Sequence, residues 1–325
     1  CDQELKALGR HHSAKSAQEA LELIKSFEFP CVNVDFIYGI PGQTVESLLD
    51  SLKKALYFDP EEIFLYPLYI KHGVSLEQSG MVPDAEAARQ QYRAAGCFLK
   101  NHGYRQDSMR RFVRGEGERE FCECGFGTSI ALGCGGRSYL GSLHFCSPYA
   151  VKQEACLARL AEFENTKDHT KITYGILLSK EELKRRYVIR HLLIRPGLNL
   201  ERYDELFGSM ALEDFPILEE WMESGYIKRV CMDAENEIHS RIQEAVHTRL
   251  ADCALAEKHM DVSSRIDLQV GDSGYLDSHL DAECRAEKVG WLALTESGME
   301  LSDDLGPQLI SPQIRRAMME WEDVH

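Results

Sequence analysis

Asn33-Val34-Asp35-Phe36-Ile37-Tyr38-Gly39-Ile40-Pro41-Gly42-Gln43-Thr44 decides how this chain folds. Residues 31–37 are short, apolar and rich in β-branched side chains, which suits a strand. Gly39-Ile40-Pro41-Gly42 must then leave the extended state. Thr44 caps a helix whose Leu48, Leu49, Leu52, Ala55 and Leu56 fall on one face. Outward from this unit, residues 63–70 read as a second strand after Asp59-Pro60, and residues 85–103 as another helix. Upstream, residues 2–27 are helical with a polar break at 10–13. Strands and helices in alternation imply parallel pairing through crossover helices, as in a doubly wound sheet or a barrel, and periodicity does not choose between those two.

Gly- and Cys-rich sequence over residues 115–141 disfavours regular helix. Beyond it the texture changes to helices at 181–194, 200–207 and 215–224, followed by short strands at 225–230 and 291–295. That order predicts a small helical, winged-helix-like module. The expected division is 1–175 for the α/β part and 176–325 for the module, with residues 231–290 as an insertion of unassigned fold, because a two-strand wing needs only a short loop.

The 325 residues are 44% hydrophobic and 28% charged, enough to bury a sizeable core. A net charge of −16 argues against broad binding to nucleic-acid backbone. No apolar run approaches the roughly 20 residues needed to cross a bilayer. Eleven cysteines are scattered without a secreted pattern, so reduced thiols in a cytoplasm are expected. The chain opens on Cys1 with neither an initiator methionine nor a signal segment, and is expected to be a piece of a longer reading frame.

Read alone, Asp35 is either a functional carboxylate or a strand-end acid facing water, Arg10 is a solvated helix residue, and residues 39–42 are turn chemistry rather than a phosphate loop. The motifs in order say more. Leu8-Gly9-Arg10-His11, the segment from Asn33 to Thr44, Leu65-Tyr66-Pro67-Leu68-Tyr69, Leu132-Gly133-Cys134-Gly135-Gly136-Arg137-Ser138-Tyr139 and Leu294-Thr295-Glu296-Ser297-Gly298 together resemble the coproporphyrinogen III oxidase-like (oxygen-independent) radical S-adenosylmethionine (SAM) family.

The resemblance implies an α/β fold: the C-terminal part of a partial parallel (β/α) radical SAM barrel, followed by the winged-helix-like domain. SAM would lie across the C-terminal strand ends. Arg10 would approach its carboxylate, Asp35 would accept from its ribose hydroxyls or other polar groups, and Tyr69 would offer backbone atoms to the adenine end. The stretch holding Gly133, Gly135 and Tyr139 would let backbone approach the ligand. The resemblance further implies a [4Fe-4S] cluster and an electron donor such as flavodoxin or ferredoxin. The substrate would be a porphyrinogen or another organic molecule, and a haem-binding chaperone is the alternative role.

The family's Cys-x3-Cys-x2-Cys motif is absent, so its ligands are expected upstream and no metal and no radical chemistry are expected of this piece alone. Cys122, Cys124, Cys134 and Cys146 match no common site. Arg105, Arg110, Arg111, Arg114 and Arg137 are candidates for a basic pocket taking substrate carboxylates, and His144 is the histidine nearest the glycine-rich loop.

Overall fold

A computed structural model describes residues 1–70, 82, 84–115, 127–148, 150, 152–231 and 290–324. The predicted upstream helix is two: α1 (Asp2–Ala7) and α2 (Ala14–Lys25). Gly9 breaks them apart. It turns left-handed at φ 66°, and the Arg10 N–H closes back on the Leu5 carbonyl at 2.8 Å while Gly9 N–H bonds Lys6, the paired bonds of a Schellman stop.

The deciding segment forms β1 (Asn33–Tyr38), and α3 (Val45–Leu56) crosses over to β2 (Glu62–Pro67), which lies parallel to β1. Helix α4 (Ala85–Asn101) follows. The alternation stops being parallel there. β3 (Tyr104–Gln106) and β4 (Arg111–Arg114) form a hairpin whose β4 adds antiparallel to β2, giving the sheet order β1-β2-β4-β3. The parallel pairing expected of the strands that alternate with helices holds for β1 and β2, and the hairpin adds an antiparallel edge that the sequence reading did not foresee. Residues 107–110 are too few for a crossover, so strands joined by them must run antiparallel.

Period-two alternation sends Val34, Phe36 and Tyr38 with Ile63 and Leu65 against α3 and α4, where Leu48, Leu52, Ala95 and Leu99 are buried. Each such leucine contributes on the order of 2 kcal/mol. Gly96 of α4 faces the Phe112 ring, whose edge would meet an added Cβ at 3.6 Å, an ordinary contact.

A second sheet joins β5 (Ser138–Leu140), β6 (Leu143–Phe145) and β7 (Gly175–Leu177), with α5 (Gln153–Asn165) inserted before its last strand. The helical part is α6 (Lys180–Leu192), α7 (Leu200–Phe207), α8 (Ala211–Asp214) and α9 (Ile217–Glu223). Its sheet has three strands where two were expected: β8 (Leu198–Asn199), β10 (Gly290–Leu294) and β9 (Ile227–Cys231), antiparallel with β10 central. Then come α10 (Glu296–Glu300), α11 (Ser302–Leu305), a 3-10 turn (Gly306–Leu309) and α12 (Pro312–Val324). Tyr203, Leu218, Trp221, Ile227 and Leu292 form the core of this part, a cluster distinct from the one under the first sheet. Residues 232–289, most of the expected insertion, lie outside the described residues.

Candidate functional site

The turn after β1 is built from buried amides. Gly39 adopts φ 79°, and a Cβ there would also crowd Ala88 Cβ at 3.1 Å. Its N–H donates to Gln91 Oε1 at 2.7 Å, Gln91 Nε2 donates to the Gln43 carbonyl at 2.8 Å, and Gln43 Nε2 donates to the Ile37 carbonyl at 3.2 Å. Thr44 and Ser47 exchange capping-box bonds at the start of α3, each 3.1 Å. Ser47 Oγ also donates to Glu4 Oε1 at 2.5 Å, which ties α1 to the turn at the C-terminal end of β1. Arg10, exposed, leaves α1 three residues after its last helical residue.

On the sheet face away from α3 and α4, Asp35 is exposed and accepts from Asn33 Nδ2 at 2.8 Å. Register places Phe64 across from Asp35, and Arg111 across from Phe64. Phe64 stacks on Tyr66 with centroids 5.8 Å apart and planes 15° from parallel. This face offers an open carboxylate beside an aromatic surface.

Past the end of β2, Tyr69 is 55% exposed, and its hydroxyl donates to Asp303 Oδ2 and accepts from Arg110 Nη2 at 2.9 Å. The same Nη2 donates to Asp303 Oδ1 at 2.5 Å. The Arg110 guanidinium lies 5.9 and 5.8 Å from the centroids of the Tyr66 and Tyr69 rings. Burial opposes its charge, but Asp303 and the Tyr69 hydroxyl raise its pKa above the ordinary value. Burial likewise pushes up the hydroxyls of Tyr38 and Tyr92, whose rings meet at 5.5 Å. The acids of α10 and α11 extend the contact along α4: Glu300 meets Arg93 at 3.0 Å and Arg89 at 3.9 Å, and Glu296 meets Lys100 at 2.8 Å.

Of the five candidate arginines of a basic pocket, four are paired with acids of this chain. Arg105 pairs with Asp107 at 2.9 Å, Arg111 with Glu62 at 2.5 Å and Asp107 at 3.5 Å, and Arg114 with Asp59 at 2.8 Å. Arg137 is exposed on the glycine-rich loop, and Arg110 stands at the strand ends. Arg111, buried, neutralises acids of its own sheet rather than waiting for a ligand.

Gly133 and Gly135 take φ 92° and 80°, and nothing lies within 4 Å of a Cβ added at either, so backbone conformation rather than a neighbouring atom calls for glycine there. Tyr139 exchanges backbone bonds with Ser129, meets His144 edge-on at 4.8 Å and lies under Arg186 at 4.8 Å. His144 Nε2 is buried with no hydrogen-bond partner among the described residues, and burial, with Arg186 and Arg190 adding, lowers its pKa to about 4. Among the described residues no hydrogen bond or ion pair joins Arg10, Asp35, Tyr69 and Tyr139 to one another. No three Cys, His, Asp or Glu side chains among the described residues are grouped to hold a metal, and Cys122 and Cys124 lie outside them. None of the described helices is long and apolar enough to cross a membrane.

Two participants escaped sequence reasoning. Gln91 reads as a helix-surface amide and Asp303 as a solvated acid; each gains its role only from a partner more than 45 positions away.

No family model matches the chain. It is 33% identical over 145 residues to the mitochondrial radical S-adenosyl methionine domain-containing protein 1 of Mus musculus, covering 42% of this chain and 33% of that protein. It is 24% identical over 234 residues to the heme chaperone HemW of Bacillus subtilis, covering 70% of this chain and 60% of that one. The solved structure of coproporphyrinogen III oxidase (HemN) from Escherichia coli, described as a radical SAM enzyme, superimposes with a TM-score of 0.56 at 17% identity, over 70% of this chain and 56% of the other. The fold is therefore the HemN-like one. The matched parts span between a third and three-fifths of these proteins.

Proposed function

We propose that this chain, a relative of the oxygen-independent coproporphyrinogen III oxidase-like radical SAM proteins, serves a SAM-dependent oxidoreductase acting on a tetrapyrrole-like or other organic substrate. The observation that carries the reading is the 33% identity over 145 residues to a protein named for its radical SAM domain. The geometry is compatible with it. Asp35 is an exposed carboxylate, free of ion pairs, on the strand face away from the helices, a suitable acceptor for sugar hydroxyls. Arg10, on the segment that Glu4 and Ser47 fasten beside the end of β1, supplies a guanidinium for a ligand carboxylate. Tyr69 stands past the end of β2, where its backbone would meet the adenine end.

SAM, when bound with a reduced four-iron cluster, supplies the radical chemistry of such enzymes. Among the described residues no cysteine set fits that cluster. The chain's own contribution in this reading is to bind and orient. Asp35 and Arg10 fix the polar groups of SAM, the Phe64–Tyr66 pair excludes water from one side, and the Gln43–Gln91 amides hold the turn in place. The proposed division of labour assigns residues 1–175 to SAM and 176–325 to covering the site. A flavodoxin or ferredoxin would donate the electron.

The test is anaerobic cluster reconstitution of the chain within its complete reading frame, followed by assay for 5′-deoxyadenosine with a reductant. Its appearance, and its loss in Asp35→Ala, is expected. The second reading, a haem chaperone, is favoured by the match to HemW over 70% of this chain. Haem binding with SAM left intact would select it.

A further inference from the structure

We infer that Arg110 is an anchoring site for a carboxylate of the organic ligand, and that Asp303 occupies it as an internal stand-in which the ligand displaces. Three observations support this. First, Arg110 stands at the C-terminal end of β2, where its backbone carbonyl accepts from Leu65 N–H at 2.8 Å, flanked by the rings of Tyr66 and Tyr69. A planar cation between aromatic rings is well placed for an aromatic or conjugated acid.

Second, the guanidinium is under-used. Nη2 alone carries both contacts, to Tyr69 and to Asp303, while Nε is buried and donates to nothing among the described residues. A guanidinium fork is matched best by a two-pronged carboxylate, and an unmet donor away from water costs free energy that such a carboxylate would recover.

Third, Asp303 is expendable to its own part of the fold. It projects from the four-residue helix α11, its side chain is 34% exposed, and it belongs to neither apolar cluster. Among the described residues, hydrogen bonds and ion pairs cross this junction. Besides Arg110–Asp303 and Tyr69–Asp303 they are Arg93–Glu300, Arg89–Glu300 and Lys100–Glu296, with a backbone bond from Arg195 N–H to the Asp107 carbonyl and a bridge between Ser108 and Ile194. Polar contacts of this kind exchange partners at little cost, because water and a second acid replace what is lost. Binding of the carboxylate therefore loosens α10 and α11 while the 107–108/194–195 contact stays made.

The inference rests on the tetrapyrrole reading, so the experiment separates the two. Coproporphyrin III, an oxidised fluorescent tetracarboxylic acid, and its tetramethyl ester are titrated into the full chain, Asp303→Asn and Arg110→Gln, with circular dichroism confirming each fold. The acid is expected to bind in preference to the ester. Asp303→Asn should tighten the acid by about fivefold, the range of a half-exposed charge pair, and leave the ester unchanged. Arg110→Gln should abolish the preference. Hydrogen exchange over residues 296–305 should quicken with the acid and not with the ester. If Arg110→Gln fails to fold, Asp303→Asn and the exchange measurement decide. Acid binding with no gain in Asp303→Asn and no change in exchange overturns the displacement while leaving the tetrapyrrole reading intact. Binding of neither porphyrin to any of the three proteins overturns both.

Discussion

Replacing Gln91 by Leu tests whether the turn after β1 owes its shape to the two amides. The side chain is 2% exposed, so a leucine of similar size fills the same space and leaves no large cavity. It removes an acceptor for Gly39 N–H and a donor to the Gln43 carbonyl, both in buried or nearly buried surroundings. Each stranded group costs about 1–3 kcal/mol, and the two together about 2–6 kcal/mol. Against a total stability of about 5–15 kcal/mol, that is a large fraction. Urea unfolding followed by far-ultraviolet circular dichroism measures it. Trp221 on α9 and Trp291 on β10 report the other core separately by fluorescence. Hydrogen exchange at Gly39 should accelerate most. A loss under about 0.5 kcal/mol, or unchanged protection at Gly39, would show that the turn is held by something other than these amides.

In the second sheet, His144 is neutral when folded, with a pKa of about 4 against 6.5 for the free side chain. The unfolded chain takes up the proton first, so stability is intact above pH 6.5 and declines between 6.5 and 4. His144→Phe keeps an aromatic edge against Tyr139 and should flatten that part of a melting-temperature profile; an unaltered slope counts against the assignment. Asp214 accepts from Tyr203 at 2.7 Å, Ser209 at 2.6 Å and Lys184 at 2.7 Å. Burial alone would raise its pKa, yet these donors hold it below the ordinary value. Its contribution is present above about pH 4 and lost as pH falls further, so Asp214→Asn should cost about 2–3 kcal/mol at neutral pH and less in acid. At Gly298 a Cβ would stand 1.9 Å from the Tyr226 carbonyl oxygen, so Gly298→Ala should cost about 1–3 kcal/mol in the same unfolding assay.

Local signals were the legible ones. β1, its Gly-Pro-Gly turn, the Thr44 cap and the face of α3 are written in adjacent residues, and the structure moves their bounds by one or two positions. The polar break at residues 10–13 likewise marked where one helix becomes two. The β3–β4 hairpin was missed because strands of three and four residues carrying three arginines show no alternation to read, and Arg110-Arg111 looked like a single basic feature. Structure separates that pair. Arg111 turns to Glu62 and Asp107 within the sheet, and Arg110 turns to Asp303, nearly two hundred residues on. Leu198-Asn199 is too short for any strand signal and is fixed only by pairing with Trp291 and Leu292. Asp35 was identified as a candidate from its place in an apolar strand, but that it faces away from both helices follows only from the packing of Val34, Phe36 and Tyr38.

Gly290 pairs with Cys231 across the antiparallel ladder, so the two strand ends that border residues 232–289 lie side by side. Chain entering at one end returns at the other through a single doorway. The ladder from Ile227–Leu294 to Cys231–Gly290 fixes the register of the two strands by itself. The position is thus a socket, where a protein engineer could splice in a reporter between strand ends already held side by side.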